Sequence, residues 1–256
     1  MSSGLPATEP PPMHPPDDEG PRLTVMEHLE ELRRRLLVSV VTLLATIGIS
    51  LWQVERLVRW WRRPIEGLVP RLVFFSPTEP LVAYLQVAVL SGLVLAMPVL
   101  LFELWRFVRL GLTVQERTTG LAFIWWGSLL FGGGVAFAYY GLLPLSLTVL
   151  LGIGKGSLEP MISIGRYLSL VTTMAFWCGL IFELPVILFL LARVGLVTPA
   201  WLRHQRPYAL LALVIAAAVM TPTTDPFSLL VATIPMALLY ELSILVISVT
   251  GRRRAP

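Results

Sequence analysis

The chain has 256 residues, of which 55% are apolar and only 14% charged, against about a quarter charged in ordinary soluble domains. With a mean hydropathy of +0.75 it has too little polar surface to cover a soluble globule. That excludes a soluble enzyme, a disulfide scaffold and, despite a pI near 9.6, a nucleic-acid-binding domain.

Residues 1–22 hold seven of the 21 prolines and the run Asp17-Asp18-Glu19. Without an apolar stretch, this segment reads as a disordered tail and neither a signal peptide nor a span. Structure is expected to begin at Leu23, where Val25, Leu29, Leu32 and Leu36 recur at helical spacing between acids and bases. Thr24 and Glu27 have the form of a capping box. This amphipathic helix runs into a first apolar span, Leu36–Trp52.

Five more spans follow from charge-free runs of sufficient length: Leu81–Trp105, Leu121–Leu143, Tyr167–Leu191, Tyr208–Thr221 and Phe227–Val249. The fifth reaches only about 21 Å, short of a hydrocarbon core of roughly 30 Å, and is expected to pair with the sixth as a hairpin. The predicted fold is an all-α integral membrane protein with six transmembrane helices over residues 23–250 and a basic tail at 251–256. Arginine placement sets the orientation. Thirteen Lys and Arg fall on the side of the termini and seven on the other, so both termini are expected in the cytoplasm. Five of the seven lie in the first outer loop. There Arg56-Leu57-Val58-Arg59-Trp60-Trp61-Arg62-Arg63 reads as an interfacial helix with tryptophans at headgroup depth.

Catalytic patterns are missing from this sequence. Gly152-Ile153-Gly154-Lys155-Gly156-Ser157 fails the phosphate-loop spacing because position 149 is valine. His14, His28 and His204 form no pair with metal-ligand spacing. Cys178, the single cysteine, reads as a small buried hydrophobe. The expectation is a non-enzyme without metal or cofactor.

Acids in costly places remain. Glu183, beside Pro185 in the fourth span, and Glu241 in the sixth are expected to face a partner or a wet cavity, since an ionisable group at that depth costs about 2.5–3.5 kcal/mol. Glu183 is read as the functional polar site, and Glu103, beside Arg106, as an interfacial anchor. Pro98, Pro144, Pro185 and Pro235 interrupt four spans and predict kinked helices forming a concave face.

Taken in order, these segments resemble the TatC family, the multi-span receptor of the twin-arginine protein translocase. His28-Leu29-Glu30-Glu31-Leu32-Arg33-Arg34-Arg35 resembles its entry motif. Phe102-Glu103-Leu104-Trp105-Arg106-Phe107, Gly111-Leu112 and Glu116-Arg117 are similar to its first cytoplasmic loop. Ala136-Phe137-Ala138-Tyr139-Tyr140, Phe182-Glu183-Leu184-Pro185, Arg206-Pro207-Tyr208, Thr221-Pro222-Thr223-Thr224-Asp225-Pro226 and Tyr240-Glu241 continue the match through residue 249. Departures from the family pattern are Arg109-Leu110, where Ala-Pro is frequent, and Leu229, where Gln is frequent.

The resemblance implies a receptor in the bacterial cytoplasmic membrane. It would bind paired-arginine signal peptides of folded cargo and assemble single-span TatA- and TatB-like partners into a multimeric complex driven by proton-motive force. Glu31 and Glu116 would receive the guanidinium groups, with Arg33, Phe107 and Arg117 beside them. Thr221, Thr224, Asp225, Tyr240 and Glu241 would dock partner helices. Against the role of Glu31 stands Arg35 at i+4, positioned for an ordinary helix ion pair. A second reading is a proton- or ion-coupled small-solute transporter using Glu183.

Overall fold

The structure, a computed structural model, describes residues 25–69, 71–109, 120–152, 161–221 and 226–252. The tail 1–22, Thr24 with its cap, and most of the tail 251–256 lie outside the described residues.

The amphipathic entry and the first span form one uninterrupted helix, α1 (Val25–Trp52). Leu37, Val41 and Leu44 on it are exposed, as suits a helix facing lipid. The short helix α2 (Val54–Arg62) follows, closed by a 3-10 turn Arg63–Ile65 in which Pro64 opens the turn. The strand β1 (Leu72–Val73) pairs in parallel with β2 (Ile162–Ser163).

The second span is α3 (Glu79–Val108), 30 residues with Pro98 inside. The third is a rod made of α4 (Gly120–Phe137), a π-helical turn Ala138–Leu142 and α5 (Leu143–Gly152). The sequence reading ends this span at Leu143, before Pro144. Instead the helix continues to Gly152, because the chain widens by one π turn, with Leu143 N–H donating to Ala138 O. A turn of that kind absorbs the break in register that a proline causes.

The fourth span is broken where expected. Ser163 caps α6 (Ile164–Phe182) by accepting from Arg166 N–H at 3.3 Å. At Glu183 the chain breaks, and Pro185 opens α7 (Leu184–Arg193). Then come α8 (Pro199–His204), α9 (Arg206–Met220) and α10 (Pro226–Arg252), the last with Pro235 inside. Among the described residues five stretches are long and apolar enough to cross a membrane: Leu29–Trp52, Glu79–Val108, Gly120–Gly152, Ile164–Arg193 and Pro226–Thr250. At 15 residues, α9 is shorter, roughly 22 Å.

In the bundle α1 lies along α3, α3 packs on α4 and α6, and α10 packs on α7 and α9. At Gly92 the backbones of α1 and α3 touch: a Cβ there would lie 2.8 Å from Ile47 Cα. The core sits between α3, the α4–α5 rod, α6 and α10, around Phe131, Leu142, Tyr167, Met174 and Met236.

The α2 tryptophans pack against the bundle. Trp61 is buried, 3% exposed, and Trp60 stacks on Tyr139 with ring centroids 4.2 Å apart. Tyr139 donates to Trp60 O at 2.7 Å and Tyr167 to Trp61 O at 2.8 Å. The indoles therefore anchor α2 to the bundle, while Arg56, Arg59 and Arg63 point outward.

Candidate functional site

Helical spacing places Glu31 and Arg35 one turn apart on α1, and Arg35 turns inward toward α3. Its Nη2 donates to Glu31 and its Nη1 donates to Glu103 Oε2 at 3.0 Å. On the far side of Glu103, Arg106 Nη1 stands 3.6 Å from Oε1. The result is an alternating chain, Glu31–Arg35–Glu103–Arg106, that ties the start of α1 to the end of α3. Glu103 is buried, 5% exposed, so it is an internal counter-ion and not the interfacial anchor the sequence suggests. An ionised carboxylate at that burial is tolerable because a guanidinium bonds to it directly.

Around this chain Arg33 is exposed on α1, and Arg106 lies over the Phe102 ring at 5.5 Å. Phe107 is half-buried one residue further along α3. Glu116 and Arg117 lie outside the described residues, in the connection from α3 to α4. The ends of that connection are packed together: Trp105 and Phe123 rings sit 5.2 Å apart, and Gly120 abuts the Trp105 indole.

Glu183 stands apart from this chain. The break between α6 and α7 turns its carboxyl toward α4, where a Cβ on Gly127 would lie 3.3 Å from Oε2. The residue is 2% exposed, and neither oxygen has a hydrogen-bond partner among the described residues. Leu101 of α3 shares this space.

Of the five residues expected to dock partners, Thr221, Tyr240 and Glu241 lie among the described residues. Thr221, at the end of α9, is buried and donates to Ala217 O at 2.8 Å within its own helix. Tyr240 is buried and donates to Leu202 O at 2.8 Å, bracing α10 against α8. Glu241 is exposed and accepts from Arg206 Nη2, 2.6 Å away, at the start of α9. Within the apolar stretch Pro226–Thr250 this acid thus faces a partner, as the sequence leads one to expect. Thr221 and Glu241 are separated by the length of α9, and Thr224 and Asp225 lie outside the described residues.

At the end of the bundle opposite Arg35 a cleft of about 720 Å³ opens between α3, α6 and α9, lined by Glu79, Gln86, Arg166, Ser169, Thr173 and Met220 among others. Glu79 accepts there from Phe75 N–H at 2.8 Å and Gly165 N–H at 2.9 Å, which joins the starts of α3 and α6.

A family model described as Sec-independent protein translocase protein (TatC) matches residues 27–235. The chain belongs to the TatC family. The TatC of Koribacter versatilis is 39% identical over 228 residues, 87% of this chain and 84% of the relative. That of Carboxydothermus hydrogenoformans is 35% identical over 224 residues, covering 88% and 92%. A crystal structure of the twin-arginine translocase receptor TatC is 33% identical and superposes with a TM-score of 0.76 over 88% of this chain and all of that one. TatC proteins are translocase components and not enzymes, in agreement with the sequence reading. The described fold of this TatC member is all-helical apart from the short β1–β2 pair.

Sequence reasoning missed the role of Glu103. The i,i+4 spacing makes the Glu31–Arg35 pair legible, but the second contact spans 68 positions and appears only when α1 lies along α3.

Proposed function

We propose that this chain is the receptor subunit of a twin-arginine translocase, binding paired-arginine signal peptides of folded proteins at the Glu31 end of the bundle. In this reading the short α9 completes six spans, both termini face the cytoplasm of a bacterial cell, and thirteen of the twenty basic residues lie on that side. Glu31 and Glu116 receive the two guanidinium groups, flanked by Arg33, Phe107 and Arg117. TatA- and TatB-like helices dock along α9 and α10, near Thr221, Thr224, Asp225, Tyr240 and Glu241, and proton-motive force drives transport.

The observation that carries this reading is a guanidinium already resting on Glu31, whose side chain remains 23% exposed. The carboxylate is thus oriented for a guanidinium and open to the surrounding water. Glu116 follows α3 in the sequence, eight residues after Val108.

The solute-transporter reading has less support, since Glu183 is enclosed and the relatives are protein translocase components. The test is binding of a fluorescent paired-arginine peptide to the full chain in lipid nanodiscs, against the same peptide with paired lysines. The arginine peptide is expected to bind about tenfold more tightly or better, because lysine cannot form the planar fork. Equal affinities, or no binding, contradict the proposal.

A further inference from the structure

Arg35 holds its two carboxylates with two different nitrogens, Nη2 on Glu31 and Nη1 on Glu103. Each contact is single. Neither acid receives the two parallel N–H bonds that make the strongest guanidinium pairing, and the buried Arg35 Nε has no hydrogen-bond partner. The acids also differ in access: the Glu31 side chain is 23% exposed and that of Glu103 6%. A ligand arriving from solution meets Glu31 first and finds it occupied by the protein's own arginine.

We propose that Arg35 is an internal competitor for Glu31, and that Glu103 is the positioning residue that retains Arg35 when a peptide guanidinium takes Glu31. This rests on the receptor reading above and concerns how that site is regulated.

The argument is one of charge compensation. Arg35 is 9% exposed, and leaving a cation at that burial without a partner is strongly unfavourable. If Glu31 were its sole acid, peptide binding would strand it. Glu103, 3.0 Å away, keeps Arg35 paired throughout, so the exchange replaces one contact on Glu31 by another. A peptide arginine can offer Glu31 the bidentate fork that Arg35 does not, and so gains over the occupant. A lysine ammonium cannot, and gains little. Competition with Arg35 thereby sharpens discrimination between arginine and lysine. Glu103 in turn stays compensated without Arg35, because Arg106 stands 3.6 Å from its other oxygen.

The test is a binding cycle in nanodiscs with the full chain, using fluorescent paired-arginine and paired-lysine peptides and a thermal melt on each variant. Glu103→Gln is expected to weaken paired-arginine binding about tenfold, because Arg35 then depends on Glu31 alone. Adding Arg35→Gln to that variant is expected to restore wild-type affinity or better. Arg35→Gln alone is expected to tighten binding roughly threefold or more and to narrow the gap between the two peptides. Should Arg35→Gln fail to fold, Arg35→Lys, which gives up the two-nitrogen bridge, is expected to tighten paired-arginine binding as well. A Glu103→Gln loss that Arg35→Gln does not rescue, an unchanged gap, or weaker binding in the Arg35 variants overturns the inference. A wild-type protein without preference for paired arginines overturns the receptor reading itself.

Discussion

Gly127 on α4 faces the Glu183 carboxyl so closely that a Cβ on the glycine would stand 3.3 Å from Oε2 and 2.5 Å from Leu101 Cδ1. The acid is thus held between α3 and α4 by a residue without a side chain. A buried carboxyl with no hydrogen-bond partner among the described residues is an unfavourable arrangement for stability alone. At 2% exposure Glu183 faces neither the partner nor the wet cavity that the sequence suggests, and a role in transport is a matter for mutation.

Glu183→Ala is therefore expected to leave abundance and peptide binding near wild type while reducing export of a paired-arginine reporter in cells lacking their own TatC. Gly127→Ala is expected to reduce export as well, by pushing Leu101 aside and crowding the carboxyl, at a stability cost of about 1–3 kcal/mol. Loss of the folded protein in Glu183→Ala, with Glu183→Gln fully active, would make the residue a packing element only.

The attachment of α2 gives a second expectation. Tyr167 and Tyr139 donate to successive carbonyls, Trp61 O and Trp60 O, so each Tyr→Phe change removes one bond from the bundle to α2, and at Trp60 O the Arg63 N–H remains as a donor. About 1 kcal/mol of stability per site is expected to be lost, with a larger loss at the buried Tyr167. Thermal melts in detergent read this directly. Equal melting temperatures in wild type and Tyr167→Phe would mean that α2 is held by packing around Val58 and Trp61.

Tyr240 and Glu241 adjoin in sequence yet should separate in behaviour. Tyr240→Phe removes the brace to Leu202 O and is expected to lower the melting temperature. Glu241→Gln breaks an exposed pair with Arg206, worth at most about 1 kcal/mol, and is expected to leave stability unchanged while reducing crosslinks between α9 and a TatA- or TatB-like helix. Undiminished crosslinks in Glu241→Gln would remove it from the docking face.

Much of the fold was legible because membrane helices announce themselves by length and apolarity. α3, α6–α7 and α10 fall where the charge-free runs are, and Pro185 marks the break beside Glu183. Pro144 misled, because a proline at a helix end and a proline absorbed by a π turn look alike in sequence. The packing of Trp60 and Trp61 was hidden for another reason. Tryptophan between arginines suits a headgroup layer, and only Tyr139 and Tyr167, some 79 and 106 positions away, turn these residues inward. In the candidate site Glu31 was legible from its motif, whereas Glu103 depends on a contact that no local pattern encodes. Thr221 and Tyr240 are expected from the resemblance to dock partner helices. Their hydroxyls already bond backbone carbonyls, one in its own helix and one on a neighbour.

The orientation carries its own check. On a Cys178→Ala background, a cysteine at Gln115 is expected to react with a thiol reagent only from the cytoplasm, and one at Arg59 only from outside. The reverse pattern would invert the molecule and place Glu31 on the wrong face for a cytoplasmic signal peptide.

Site-specific photocrosslinking bears most directly on the receptor reading. With a photoreactive residue at position 31 or 116 of the full chain in membranes, a paired-arginine peptide is expected to crosslink at both positions, and its paired-lysine counterpart much less. Crosslinks that ignore the arginines, or that appear at neither position while the peptide still binds elsewhere on the protein, would contradict the assignment of Glu31 and Glu116 as the guanidinium site.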